Sequence, residues 1–194
     1  MKTAHKPTYT FLLLLIALII INTLLARFAV IVLPFGGAPG VSSLYIAIAF
    51  MILFTLWFGG YGVIAAYVGC FIGSGVLSGI PSDVNWYWSL SGLWQVLIPL
   101  VAFRMLSVDP GLGKRRDIII FVVFGLVINN AFGALWGTVT LAIGNMIAWA
   151  DVTPAFFAWF IGNVIVTAVI VPLALRAGTP HIQKTKVFVR NYWD

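Results

Sequence analysis

Residues 9–32 read YTFLLLLIALIIINTLLARFAVIV, with Arg27 the single charged residue among them. A hydrocarbon core of ~30 Å needs about 20 apolar residues in a helix rising ~1.5 Å per residue. The stretch therefore reads as a membrane-spanning helix. It exceeds the ~7–15-residue core of a signal peptide, and no small-residue cleavage pattern precedes Pro34, so the helix is expected to persist in the mature protein.

The rest of the chain follows the same rule. Only 8% of its residues are charged and 62% are hydrophobic, which a soluble domain of this length could neither bury nor cover. An all-α integral membrane protein follows: one membrane domain, 1–194, as a bundle of six transmembrane helices. The spans fall at about 9–32, 43–58, 61–80, 88–106, 118–149 and 154–175, separated by the breakers PFGGAPG, GG, IPSDVN, DPGLGKRRD and ADVTP. The second span is short. The fifth is long enough to tilt or to break near Gly144, and the glycine-rich 34–40 stretch is a candidate re-entrant segment. Cys70 is the single cysteine and reads as a small buried hydrophobe.

Charge sets the orientation. Lys2 and Lys6 precede the first span, Lys114, Arg115 and Arg116 separate the fourth and fifth, and Arg176, Lys184, Lys186 and Arg190 follow the sixth. Six spans put all three groups on one side, while Asp83 and Asp151 fall in loops on the other. The positive-inside rule places both termini in the cytoplasm, with 176–194 as a basic cytoplasmic tail of a multi-pass cell-membrane protein. The net charge of +6 thus reads as topology and contact with anionic lipid, with no nucleic-acid partner. Arg104 fits a side chain snorkelling to the cytoplasmic head groups. Arg27 is the exception, near the outer end of span one.

Membrane helices associate by close backbone approach, so small residues four apart mark contact faces. Gly62, Ala66, Gly69 and Gly73 make such a stripe in span three, as do Gly125, Asn129, Gly133 and Gly137 in span five. These two helices are expected inside the bundle, with the leucine- and isoleucine-rich first span at its edge.

Groups for catalysis are scarce. The chain has no Glu, its histidines (His5 and His181) lie in the terminal segments, and no metal-ligand spacing, phosphate-binding glycine loop or nucleophile-base motif is present. No Asp falls within a span, which argues against proton-coupled transport. The expectation is a non-enzyme without cofactor or metal. The spans do hold neutral amides, which are costly to leave unpaired in hydrocarbon. Trp88, Ser91 and Gln95 share one helix face, Asn129 and Trp136 are seven apart, and Trp159 and Asn163 are four apart. With Asn145 and the cation of Arg27, these nine residues are the candidate lining of an outward-facing, aromatic and amide-lined pocket for a small molecule. Trp86 and Tyr87 read instead as belt residues at the membrane surface.

The stretch LYIAIAFMILFTLWFGGYGVIAAYVGCFIGSGVL, 44–77, together with the six-span layout, resembles the substrate-binding S components of energy-coupling factor transporters. That resemblance implies binding of a vitamin-like solute, with uptake powered by a partner membrane subunit and cytoplasmic ATPases. A second resemblance, through GVSSLYIAIAF, SLSGLWQVLIPLVAFR and FFAWFIGNVIVTAVIVPLAL, is to membrane-associated sensor domains of signalling proteins. It implies a sensor or accessory subunit in which the amides join helices.

Overall fold

A computed structural model describes residues 9–31 and 44–193; the 34–40 segment, Lys2 and Lys6 lie outside them. The described chain is mostly helical, and its sheet is a single two-residue strand pair. Five helical stretches are long and apolar enough to cross a membrane: Tyr9–Phe28, Gly60–Ser78, Ser82–Met105, Arg115–Ile143 and Trp149–Ile182. The protein is thus an all-α chain built for a membrane. A shorter apolar helix, Ala47–Phe58, lies at the position of the expected second span.

In order, α1 (Tyr9–Phe28) leads to β1 (Val30–Ile31), which pairs antiparallel with β2 (Leu44–Tyr45) ahead of α2 (Ala47–Phe58). Next comes α3 (Gly60–Cys70), continued by a π-helical turn at Phe71–Gly75 and a 3-10 turn at Val76–Ser78. With α2 counted as the second and Gly60–Ser78 as the third, the fourth stretch is two helices, α4 (Ser82–Trp88) and α5 (Leu90–Met105), joined at Ser89. The fifth runs from α6 (Arg115–Ile120) through a π-helical segment, Phe121–Ile128, into α7 (Asn129–Ile143). It stops at the expected break: Asn145 takes a left-handed φ of 56°, and its N–H and that of Met146 return to the carbonyls of Ala142 and Leu141. This is the hydrogen-bond pattern of a helix C-terminus closed by an Asn. The last helix, α8 (Val152–Ile182), is longer than the expected 154–175 and takes Arg176 into its body.

Twelve residues of α2 rise only ~18 Å, too little to cross the hydrocarbon unaided. The helix is instead a buried pillar, with Ile48, Met51, Ile52, Leu53 and Leu56 all within the core. Its C-terminal carbonyls would be stranded without partners. Three elements meet them: Gly59 N–H donates to Thr55 O (2.9 Å), Val189 N–H to Trp57 O (3.0 Å), and Arg104 Nη2 to Leu56 O (3.1 Å). Arg104 also donates to the carbonyls of Val189 (2.9 Å) and Asn191 (2.7 Å). It is therefore a clamp between α2 and the C-terminal segment rather than the snorkelling side chain that sequence suggested. That segment folds back over the turn, with Tyr192 O accepting from Gly60 N–H (2.8 Å) and Trp193 packed edge-on to Tyr61.

The glycine stripe of α3 works as expected. Cβ atoms at Gly62 and Gly69 would overlap the backbone of α2 and Asn22 of α1, and one at Gly73 would overlap Thr23 and Ala26 of α1. In the fifth stretch, Gly133 faces Gln95 and Gly137 faces the Trp159 ring. Helix α1 packs mainly on α3 and shows most of its other residues outward, so it is peripheral. One expectation fails: Asp117, placed just outside a span by sequence, is buried in the first turn of α6, at the Arg104 end of the bundle.

Gly59 joins α2 to α3 with φ +59° and ψ −133°, and a Cβ there would sit 2.6 Å from Tyr192 O and 2.7 Å from Val189 Cγ1. Gly59→Ala is expected to cost about 2 kcal/mol or more. Tryptophan-monitored melting in detergent checks this; an unchanged midpoint would mean that the C-terminal segment does not seat on this turn.

Candidate functional site: a cavity between five helical segments

At the end of the bundle opposite Arg104, the structure encloses a cavity of about 170 Å³. The last turn of α1 contributes Arg27, and Val30 and Tyr45 of the strand pair form one side. Cys70, Ser74 and Ser78 come from the third stretch, Trp88, Ser91, Gly92 and Gln95 from α4 and α5, and Trp159 from α8. Five of the nine residues picked out by sequence thus meet at one place: Arg27, Trp88, Ser91, Gln95 and Trp159.

The aromatic stretch divides at Trp88. Trp86 and Tyr87 are 55% and 63% exposed, whereas Trp88 is 6% exposed and packs against Trp159, ring centroids 5.8 Å apart at 53°. Gly137 gives the Trp159 ring its place, since a Cβ there would lie 2.5 Å from the ring edge. The Trp88 Nε1 donor is buried without a partner among the described residues.

Gln95 forms the polar end of the wall and is held by two neighbouring asparagines of α7. Its Nε2 donates to Asn130 Oδ1 (2.9 Å), and Asn130 Nδ2 donates to Leu126 O (2.9 Å) in the π-helical segment and to Thr167 Oγ1 (3.4 Å) on α8. The backbone explains Asn129. Pro99 stands four residues after Gln95 and has no N–H, so the Gln95 carbonyl loses its helical donor. Asn129 Nδ2 donates to that carbonyl at 3.0 Å. This is a helix-repair contact, outside the cavity lining.

Three other candidates also lie outside the lining. Trp136 turns away, its Nε1 donating to Tyr87 O (2.8 Å) and its ring packed with Trp94 and Phe132. Asn145 is the exposed left-handed residue closing α7. Asn163 is buried on α8 with its Nδ2 unpartnered among the described residues. Trp136 lines a larger groove of about 760 Å³ with Tyr87, Phe132, Leu135 and Ile143, which is almost wholly apolar, as a lipid-facing surface is. Polar groups line the smaller cavity and also one at the opposite end, where Arg104, Gln183 and Arg190 meet, which none of the nine candidate residues lines.

Sequence reading missed Tyr45, Cys70, Ser74 and Ser78. Ser74 Oγ donates to Ala26 O (2.9 Å) and lies 3.1 Å from the Tyr45 hydroxyl, while the Cys70 thiol neighbours Tyr45 and Ser89. The π-helical turn at Phe71–Gly75 alters the facing of the residues around it, and such turns recur at functional sites. The available signal was the polar SG pair after an apolar run. Asn85, the last residue of the breaker IPSDVN, is instead inside α4, donating from Nδ2 to Phe71 O (3.0 Å) and accepting from Ser89 Oγ (2.9 Å).

No protein-family model matches this chain, and no curated protein or solved structure is similar to it. Its function is therefore argued from the chemistry of this cavity.

The Pro99–Asn129 pairing makes a double-mutant test. Asn129→Ala alone strands the Gln95 carbonyl and is expected to cost about 1 kcal/mol. In a Pro99→Ala background, where the introduced alanine supplies the helical N–H, the same change is expected to cost much less. Equal costs in both backgrounds, measured by denaturant unfolding in detergent, would refute the repair role.

Proposed function

We propose that this chain is the solute-binding subunit of a multi-component, ATP-driven importer in the cytoplasmic membrane. It would be a six-pass protein, with α2 and its strand pair as the short second pass. The carrying observation is the cavity itself: two tryptophans, a hydroxyl and an amide from three helices converge on one space, with a cation at its edge. Concave sites with few placed polar groups are where small molecules bind.

Orientation supports this reading. Lys114, Arg115, Arg116, Arg176, Lys184, Lys186 and Arg190 cluster toward the Arg104 end, which by the positive-inside rule faces the cytoplasm. The cavity then opens outward. In this reading the subunit performs no catalysis of its own and draws energy from partner subunits, a membrane protein and ATPases. The resemblance of 44–77 to importer S components agrees with that division of labour.

A second reading, a sensor subunit, is favoured by α8. This one helix runs from Trp159 in the cavity wall to Ile182 beside the C-terminal segment, a direct mechanical path between the two ends.

Gentle purification followed by mass spectrometry of retained small molecules tests binding, and identification of co-purified proteins tests the partner. An ATPase pair supports the importer, whereas a kinase or other output protein in its place supports the sensor. Trp88→Ala removes a ring from the wall and is expected to reduce solute retention about tenfold or more. Asn145→Gly, at the helix end, is expected to leave retention unchanged. Full retention in Trp88→Ala would return the cavity to a packing defect.

A further inference from the structure

We infer that the solute is a small, flat aromatic monocarboxylate, its ring against the wall that Trp88 and Trp159 form together and its carboxylate toward Arg27. This rests on the reading of the cavity as a solute site and specifies the chemistry that site selects.

Charge is the first observation. Arg27 is the only charged residue in the lining, and its guanidinium makes no ion pair among the described residues; its recorded neighbour is the Phe28 ring, 5.7 Å away. The strand connection that continues beyond Val30, residues 32–43, contains no Asp or Glu. Asp83 and Asp151, the acidic residues of that end, are not in the lining. A cation at the edge of a partly enclosed, acid-free site attracts an anion more strongly than it would in open water. Arg27 is itself exposed, so screening keeps the preference modest.

Size is the second. A cavity of about 170 Å³ is close to the ~150 Å³ apolar cavity that accepts benzene and below the ~300 Å³ at which drug-sized sites begin. One ring with one small substituent fills it.

Wall chemistry is the third. The two indoles offer ring faces, and aromatic pairs gain from offset or tilted packing. Ser91 and Gln95 are fully buried and add polar atoms to the same wall. A guanidinium favours a carboxylate over other acceptors because its fork of N–H donors matches two oxygens.

Benzoate, benzamide and benzamidine share one shape and carry negative, neutral and positive charge, so calorimetric titration of the full-length protein in detergent separates charge from fit. Benzoate is expected to bind about tenfold or more tighter than benzamide, with benzamidine weakest. Arg27→Gln, at an exposed position, is expected to bring benzoate and benzamide within about threefold. Benzamide binding as well as benzoate, or Arg27→Gln leaving the preference intact, overturns the anion assignment while the cavity stands as a solute site. Acetate equalling benzoate overturns the aromatic part. Binding of none of the four, in protein whose melting is normal, overturns this inference and the solute-site reading together.

Discussion

Inside a hydrocarbon layer no water is present to meet a backbone carbonyl or amide, so any group that a helix leaves unbonded must find its partner in the chain. This constraint bears hardest on α2, which is too short to cross alone. Its C-terminal carbonyls are met by Gly59, Arg104 and Val189, and the chain before it is held by pairing of β2 with β1. The buried pillar and the fold-back of the C-terminal segment are thus parts of one solution. Arg104 joins them because a guanidinium has enough donors to serve three carbonyls at once.

The same constraint connects this scaffold to the candidate site. Pro99 removes a donor from α5 at the level of Gln95, and Asn129 supplies it from the fifth stretch. Next to it, Asn130 takes the Gln95 side chain and passes the contact on to α8 through Thr167. Three helices are tied together directly beside the cavity. Glycines at positions 133 and 137 allow Gln95 and Trp159 to lie close against α7, so Gln95 is held by packing as well as by its hydrogen bond, and Trp159 by packing.

How much of this the sequence shows depends on what hydropathy can distinguish. It reports whether a segment prefers lipid to water, so the long spans and their breaks at Gly59–Gly60 and Gly144 were legible. It is silent on whether an apolar helix faces lipid or protein, since both environments accept Leu and Ile, and α2 as a central pillar was therefore hidden. The amides show the same limit. Cost in hydrocarbon says that each needs a partner, which holds for Gln95, Asn129 and Asn130 alike, but not whether the partner is a carbonyl, another amide or a solute. Asn145 could be read only as polar, although the Gly144–Asn145 pair is itself a helix-termination signal. Trp88, Ser91 and Gln95 were legible because the break at Ser89 between α4 and α5 keeps near-helical dihedrals and leaves their spacing in place. Cys70 and Ser74 were not, because the π-helical turn that begins after Cys70 and contains Ser74 breaks the periodicity on which such faces are read.

The cavity itself follows from the length of α2. A full span of about 20 residues in that position would carry helix up into the region now bounded by Tyr45, Ser74 and Trp88. Instead α2 begins at Ala47, and the chain before it is extended, with Tyr45 forming one side of the cavity and bonded to Ser74. The π-helical turn of the third stretch places Ser74 to anchor both Tyr45 and the Ala26 carbonyl of α1. Arg27, the residue after Ala26, is therefore brought to the rim by the same anchoring. Shortening one helix and widening a turn in the next leaves a space inside a protein-filled cross-section, bounded by side chains whose own contacts keep them from collapsing into it.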